Sequence, residues 1–365
     1  MSNLAPGTRL RVLHILSGDL WAGAEAQAHT LLKNLRPLCD VSAILLNEGE
    51  LANRLRADDI DVTILNEARL SSRKIFTSLR AHIRQLKPDV VHTHRQKENI
   101  LGALANATTL RALCVRTVHG APEFSGNWRT RLQRSLERWV GQHYQALFIA
   151  VSHELKDQLS IDYPGHRIST VPNGVDVAVL RAQVGPVDFR AVHPNKKHLG
   201  IIGRLVPVKR IDIFLEIAAR LRQENNSDFQ FHIIGDGPAR PLLEGQVRDL
   251  NIGDRVTFHG HRDDIPSIIA ALDAVLICSD HEGLPMVALE TLALDTLLIA
   301  HNIGGLSELA DYNTALLTRP NSPASYYKTL TGIADFSLAT ENFSHHAKKN
   351  SEQTMALYSA MTAGP

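Results

Sequence analysis

Short runs rich in β-branched residues and leucine alternate along the chain with longer stretches in which apolar residues recur every three or four positions. The first series reads RVLHILS, AQAHTLLKNL, VSAILL, ELANRLRA, VTIL, IFTSLRAHIRQL and VVHTH. It continues through ALCVRTVHG, a long helical stretch from Trp128 to His143, ALFIAVS and ISTVPNG. After VDVAVLRAQVGPVDFRAVHPNKK, which has no clean period, a second series opens at HLGIIGR and runs to GGLSELA. Strands alternating with amphipathic helices predict parallel sheets covered on both faces. The pattern therefore predicts two doubly wound, Rossmann-like α/β domains, residues 1–185 and 186–340. Residues 341–365 are expected to form a helix that packs back toward the first domain.

Composition narrows the functional classes. With 365 residues, 44% hydrophobic and 21% charged, the chain can build two cores. No uninterrupted apolar run of about 18 to 20 residues appears, and the start MSNLAPGTRLRVLHIL lacks a secretory pattern, so a cytoplasmic protein is expected. Cys39, Cys114 and Cys278 are widely spaced among apolar neighbours and read as buried thiols. The net charge of +1 argues against a nucleic-acid partner. It hides an asymmetry, because residues 1–185 hold 23 Lys and Arg against 17 Asp and Glu, and the remainder 16 against 21. An anionic partner would be sought on the first half.

Ligands of doubly wound sheets bind where strands hand over to helices, and the unusual residues fall there. Ser279-Asp280-His281-Glu282-Gly283-Leu284-Pro285 leaves the strand AVLIC and enters a helix at Pro285, with Glu290 about a turn and a half inside. The helix N-terminus offers N–H groups to an anion and Gly283 allows close approach. Glu282 and Glu290 can take hydroxyls on two parts of one ligand. Alone, Glu282 would be a capping acid and Glu290 a solvated helix residue. Gly203-Arg204 through Lys209 follows the strand HLGII and supplies two cations suited to a diphosphate. Gly235-Asp236-Gly237-Pro238 and Gly304-Gly305 are further glycine turns, each explicable alone as connection chemistry.

In this order the motifs resemble family four of the glycosyltransferases, which has the GT-B fold. The matches are Gly203, Arg204 and Lys209; Gly235, Gly237 and Pro238; Ser279, Glu282, Gly283, Pro285 and Glu290; and Gly304, Gly305 and Glu308. The resemblance spans roughly residues 10–315. It implies two domains facing each other across a cleft, with Arg204 and Lys209 on the donor diphosphate and Glu290 on the ribose. Glu282, with the backbone of Gly283 and Leu284, would meet the transferred sugar. One departure is Leu292-Ala293-Leu294-Asp295, where relatives usually read A-x-G; a packing consequence is expected.

The first half matches less tightly. Gly18-Asp19-Leu20-Trp21-Ala22-Gly23-Ala24-Glu25 resembles the family's glycine-rich first turn, with Gly23 near the donor phosphates. His119 in TVHG aligns with a histidine beside the reacting sugar, which makes His119 and Glu282 the candidate catalytic residues. His92 and His94 in VVHTH alternate on one sheet face and read as cleft wall or as partly buried histidines. Asn173 and Gly174, in Pro172-Asn173-Gly174-Val175-Asp176, match a turn that orders the hinge.

The resemblance implies transfer from a nucleotide-diphosphate sugar, UDP-sugar by preference, with retention of configuration and by front-face attack. The expected acceptor is lipid-linked or a polysaccharide, in cell-surface glycan synthesis. No cofactor or metal is expected, since Asp59-Ile60-Asp61, the one Asp-x-Asp pair considered, precedes its strand. Trp128, Leu132, Leu136, Trp139 and Val140 share helical spacing beside several arginines. They suit either contact with an anionic membrane at its inner face or a core-packed helix. Two other readings keep the same donor site: a GT-B nucleotide-sugar epimerase, and an inactive binding subunit.

Overall fold

A computed structural model describes residues 9–120, 128–226, 228–333, 336 and 338–363. The chain divides into two units: residues up to Gly174 together with those from Ala347 onward, and Val175–His346.

The first unit is built on seven strands: β1 (Arg11–Leu16), β2 (Asp40–Leu45), β3 (Asp61–Ile64), β4 (Val90–Thr93), β5 (Leu113–Val118), β6 (Leu147–Ala150) and β7 (Ile168–Thr170). They lie in the order β3-β2-β1-β4-β5-β6-β7, every pair parallel. The direction of winding reverses between β1 and β4, so the switch point lies there. The strands are apolar on both faces because helices cover both, with Val12, Leu31, Leu35, Val115 and Tyr358 in one core and Leu13, Ile15, Ile75, Leu79 and Ile83 in the other.

The second unit has six strands: β8 (Lys197–Ile202), β9 (Phe229–Ile234), β10 (Val256–Gly260), β11 (Ala274–Ile277), β12 (Leu297–His301) and β13 (Ala315–Thr318). Their order is β10-β9-β8-β11-β12-β13, again all parallel, with the switch between β8 and β11. The helix Ile211–Gln223 buries Ile211, Phe214, Leu215, Ala218 and Leu221 against this sheet.

Two boundaries differ from the sequence reading. The division falls after Gly174 rather than at 185, because polar anchors tie the aperiodic segment to the second sheet. Arg181 donates to the Ala293 carbonyl at 3.2 Å and pairs with Asp295 at 2.7 Å, Gly185 N–H donates to Ser267 Oγ at 3.0 Å, and Arg190 pairs with Asp273 at 2.8 Å. Anchors of this kind leave no period. The terminal helix spans Ala347–Thr362 instead of starting at 341, and it packs on the helix Gly23–Leu35 of the first unit. Asn350 Nδ2 holds it to the Pro172 carbonyl at 2.7 Å. The two chain segments that join the units pair with each other, Val175 bridging His346 in parallel.

Candidate active site

In the second unit the turns after β8 and β11, on either side of the switch point, are knitted together. Asp280 N–H donates to the Val208 carbonyl at 2.9 Å. Arg210, at φ 49°, turns its guanidinium onto Asp212 at 2.9 Å and onto Asp280 at 3.2 Å, and these carboxylates push its pKa up. Asn321 Nδ2 donates to Asp280 Oδ1 at 3.1 Å and to the Cys278 carbonyl at 2.8 Å. Lys209 Nζ meets Glu282 Oε1 at 2.5 Å. The candidate diphosphate cation and the candidate sugar-binding acid therefore neutralise each other, and Glu282 is largely shielded from water. Arg204 is exposed and makes no ion pair among the described residues.

Behind this turn the helix Met286–Ala293 starts at Pro285, an extended N-cap that gives no side-chain cap to the first N–H groups. Gly283 and Leu284 are buried. Gly304 follows β12 with φ 58°, and a Cβ there would overlap the carbonyl of Glu282; Gly305 N–H donates to the Gly283 carbonyl at 2.6 Å. The Gly304-Gly305 pair thus supports the Glu282 turn from beneath. Gly235, which the motif resemblance also offered as a donor-binding residue, packs at φ 129° on the Gly203 carbonyl in the same way, so backbone packing alone accounts for this glycine. Glu290 is half-buried on this helix, and desolvation pushes its carboxyl up to about 7.

In the first unit, three of the histidines meet at the switch point and a fourth extends them. His14 on β1 is in register with His92 on β4, His94 follows β4, and His119 follows β5. His14, His92 and His94 are buried, where the sequence suggested cleft wall or partial burial for His92 and His94. His14 Nδ1 lies 3.1 Å from His94 Nε2, and His94 Nδ1 lies 3.1 Å from His119 Nε2. His92 stacks on His94 and hydrogen-bonds Thr117 Oγ1 at 2.8 Å and the Tyr358 hydroxyl. Burial drives His14 and His119 down to about 3, with Arg95 and Arg116 adding to the effect on His119, so both rings are neutral at pH 7. Nearby, Arg95 clamps Glu25 at 2.7 Å and Asp19 at 3.1 Å. Gly23 opens the helix Gly23–Leu35, and the space where its Cβ would stand is open.

Two family models fit the chain, the Glycosyltransferase Family 4 model over residues 21–179 and the Glycosyl transferases group 1 model over residues 196–335. The chain belongs to the family 4, group 1 glycosyltransferases. A relative from Escherichia coli, UDP-Gal:alpha-D-GlcNAc-diphosphoundecaprenol alpha-1,3-galactosyltransferase, is 28% identical over 350 residues, covering 90% of this chain and 89% of its own. Among solved structures, Anabaena HepE in complex with UDP-glucose superimposes with a TM-score of 0.76 at 20% identity, over 97% of this chain and 98% of that one. A glycosyltransferase from Rickettsia africae gives 0.77 at 17% identity, over 98% and 100%. At such identities these two establish the GT-B fold.

Of the residues the sequence nominated, this glycosyltransferase assembles Lys209, Glu282, Gly283, Leu284, Pro285 and Glu290 on the two knitted turns and the helix between β11 and β12. Asn173 is buried at the end of the first unit, beside Gly174. The departure at Asp295 has a structural role: it stands at φ 59° just past the helix and accepts from Arg181 and, at 2.9 Å, from Thr340 N–H. A glycine would take that conformation more easily but could hold neither partner. Sequence reasoning missed Arg210, Asp280, Asn321, His14 and Arg95. The alternation that marks His92 and His94 also marks His14 in RVLHIL, the one signal available. Asp61 opens β3, at the amino end of the sheet.

The helix Trp128–Tyr144 turns Glu137 and Val140 inward, where Glu137 pairs with buried Arg116 and accepts from Gln96 Nε2 at 2.6 Å. Leu132, Leu136 and Trp139 are 64%, 41% and 43% exposed, so they are not core residues. The side chains of Trp128 and Arg129, part of the same sequence reading, lie outside the described residues. Among the described residues no helix is long and apolar enough to cross a membrane.

Proposed function

We propose that the protein transfers a hexose from a UDP-sugar to a lipid-linked glycan acceptor, with retention of configuration and without a metal. The observation that carries the reading is the Lys209–Glu282 pair, held at 2.5 Å between the two knitted turns beside an uncapped helix N-terminus and the raised carboxyl of Glu290. A donor diphosphate competes with Glu282 for Lys209, releasing the acid toward the sugar while Arg204 and the helix N–H groups share the phosphate charge. Glu290, once ionised, accepts from the ribose hydroxyls. In front-face transfer the bond from the anomeric carbon to the diphosphate oxygen breaks. The acceptor oxygen bonds to the same face, and its proton passes to the departing diphosphate.

The printed activity of the Escherichia coli relative, with its UDP-Gal donor and diphosphoundecaprenol-linked acceptor, supports this choice of substrates. So does the UDP-glucose bound in HepE. Acceptor recognition is assigned to the first unit, with Gly23 and His119. The exposed Leu132, Leu136 and Trp139, next to exposed Arg131, Arg134 and Arg138, suit contact with an anionic membrane at the cytoplasmic face.

The test is a panel of UDP-, GDP- and ADP-sugars read by thermal melting. A ligand at about 100 times its dissociation constant stabilises by roughly 2.7 kcal/mol. UDP-sugars should raise the melting temperature of the wild type, and Arg204→Ala and Glu290→Ala should abolish the shift. Stabilisation by GDP- or ADP-sugars instead would overturn the UDP assignment, and no stabilisation by any of them would favour the inactive-subunit alternative.

A further inference from the structure

Three histidines of the first unit, His14, His94 and His119, form a hydrogen-bonded chain. His14 touches His94 and His94 touches His119 through N···N contacts of 3.1 Å, and both ring-centroid separations are 5.4 Å. That separation equals the N···N distance plus two imidazole ring radii, so each contact runs along the line joining the ring centres. The rings are tilted by only 27° and 16°, so each contact is an in-plane N–H···N hydrogen bond. The remaining nitrogens, His14 Nε2 and His119 Nδ1, are buried and have no hydrogen-bond partner among the described residues. His92 stands outside the chain, with both ring nitrogens on hydroxyls. His92 and His94 each have both ring nitrogens engaged by neighbours, so of the three clustered imidazoles His14 alone keeps a nitrogen without a partner among the described residues, too few donors for a metal.

A neutral imidazole carries one proton and offers one lone pair. Two arrangements satisfy both bonds. Either all three rings carry the proton on Nδ1, and His119 presents an N–H, or all three carry it on Nε2, and His119 presents a lone pair. Mixed arrangements set two protons or two lone pairs against each other. We propose that His94 and His14 are positioning residues that act as one unit with His119 and set whether its Nδ1 donates or accepts. The two arrangements contain the same atoms and the same net charge, so His119 can serve either as donor to a ligand oxygen or as acceptor from a ligand hydroxyl without becoming charged. The proposal rests on His119 as a site residue.

The second unit provides an internal contrast. His198, His232 and His259 form a similar chain with N···N distances of 2.9 Å, but His198 Nε2 lies 3.0 Å from the His193 carbonyl. A carbonyl only accepts, so in neutral rings that chain is fixed with every proton on Nε2.

The experiment is long-range ¹H–¹⁵N correlation on the full chain labelled with ¹⁵N-histidine, at pH 7.5, with resonances assigned by single His→Gln substitutions. His14, His94 and His119 should report one shared tautomer, and all three should move together if a bound UDP-sugar changes any of them; His198, His232 and His259 should all report Nε2–H. Different tautomers at His14 and His119 would overturn the proposal. As a functional arm, His14→Phe, two rings away from any ligand of His119, should lower kcat by about tenfold with the donor KM unchanged, the signature of a misplaced proton and not of lost binding. A His14→Phe protein that folds, melts like wild type and turns over at the wild-type rate would also overturn it. If neither protein turns over any sugar, the transferase reading fails while the spectra of the wild type still decide the tautomer chain.

Discussion

The desolvation of Glu290 costs stability, and the donor role proposed for it would put that carboxyl to use. Its folded pKa of about 7 lies above the ordinary 4.5, so its contribution to stability is present in full below pH 4.5 and is lost as pH rises through 7. Glu290→Gln has no charge to desolvate. It should be more stable than wild type by about 1–2 kcal/mol at pH 8, the difference closing toward pH 4, as read by urea unfolding at the two pH values. Donor affinity should move the opposite way. Wild-type affinity for a UDP-sugar should strengthen from pH 6 to pH 8 as the carboxylate forms, whereas Glu290→Gln should bind about tenfold more weakly at pH 8 and show no such slope, since hydrogen bonds to a charged acceptor are the stronger ones. A flat wild-type titration would remove Glu290 from the ribose. This behaviour was not legible in the sequence, because a glutamate in the helix MVALETLA carries the same letter whether its carboxyl is fully solvated or half-buried.

Among the elements, the helix Trp128–Tyr144 is fixed by a polar device on its inner face. Arg116 and Gln96 converge on Glu137, and Val140 enters the core, which leaves Leu132, Leu136 and Trp139 outside. Apolar spacing located the helix, but spacing alone could not say which stripe faces inward, since a core stripe and a lipid-facing stripe share one period. The same reason hid the boundary at Gly174, where Arg181 and Arg190 do by hydrogen bonds what periodic leucines do elsewhere. The membrane proposal gives a direct expectation at this scale. Vesicles rich in anionic lipid should sediment the protein, and Leu132→Ser with Trp139→Ser should reduce the bound fraction at least about fivefold, while Arg131→Glu should weaken binding and leave the remainder less salt-sensitive. Equal sedimentation of wild type and the double variant would remove this helix from the interface.

For the whole molecule, the alternation of strands and helices made the two doubly wound units readable, because a parallel sheet covered on both faces demands continuous apolar strands. The ordered glycine turns made the family readable, since Gly235 and Gly304 sit where a neighbouring carbonyl leaves no room for a side chain. What stayed hidden was contact between distant segments. No spacing rule joins Lys209 to Glu282, Arg210 to Asp280, or His14 to His94, because each pair meets only through the crossover at a switch point. The family name fixes glycosyl transfer and leaves the substrates to experiment. The most direct measurement incubates the purified protein with UDP-galactose, UDP-glucose and UDP-N-acetylglucosamine in turn, with and without a lipid-diphosphate-linked GlcNAc acceptor and a chelator. Products are followed by mass spectrometry and anomeric NMR. One hexose should be added to the acceptor in the α configuration with release of UDP, unaffected by the chelator and lost in Lys209→Ala. Conversion of the donor sugar in the absence of acceptor would point to an epimerase, and a β-linked product or abolition by the chelator would contradict the retaining, metal-independent reaction.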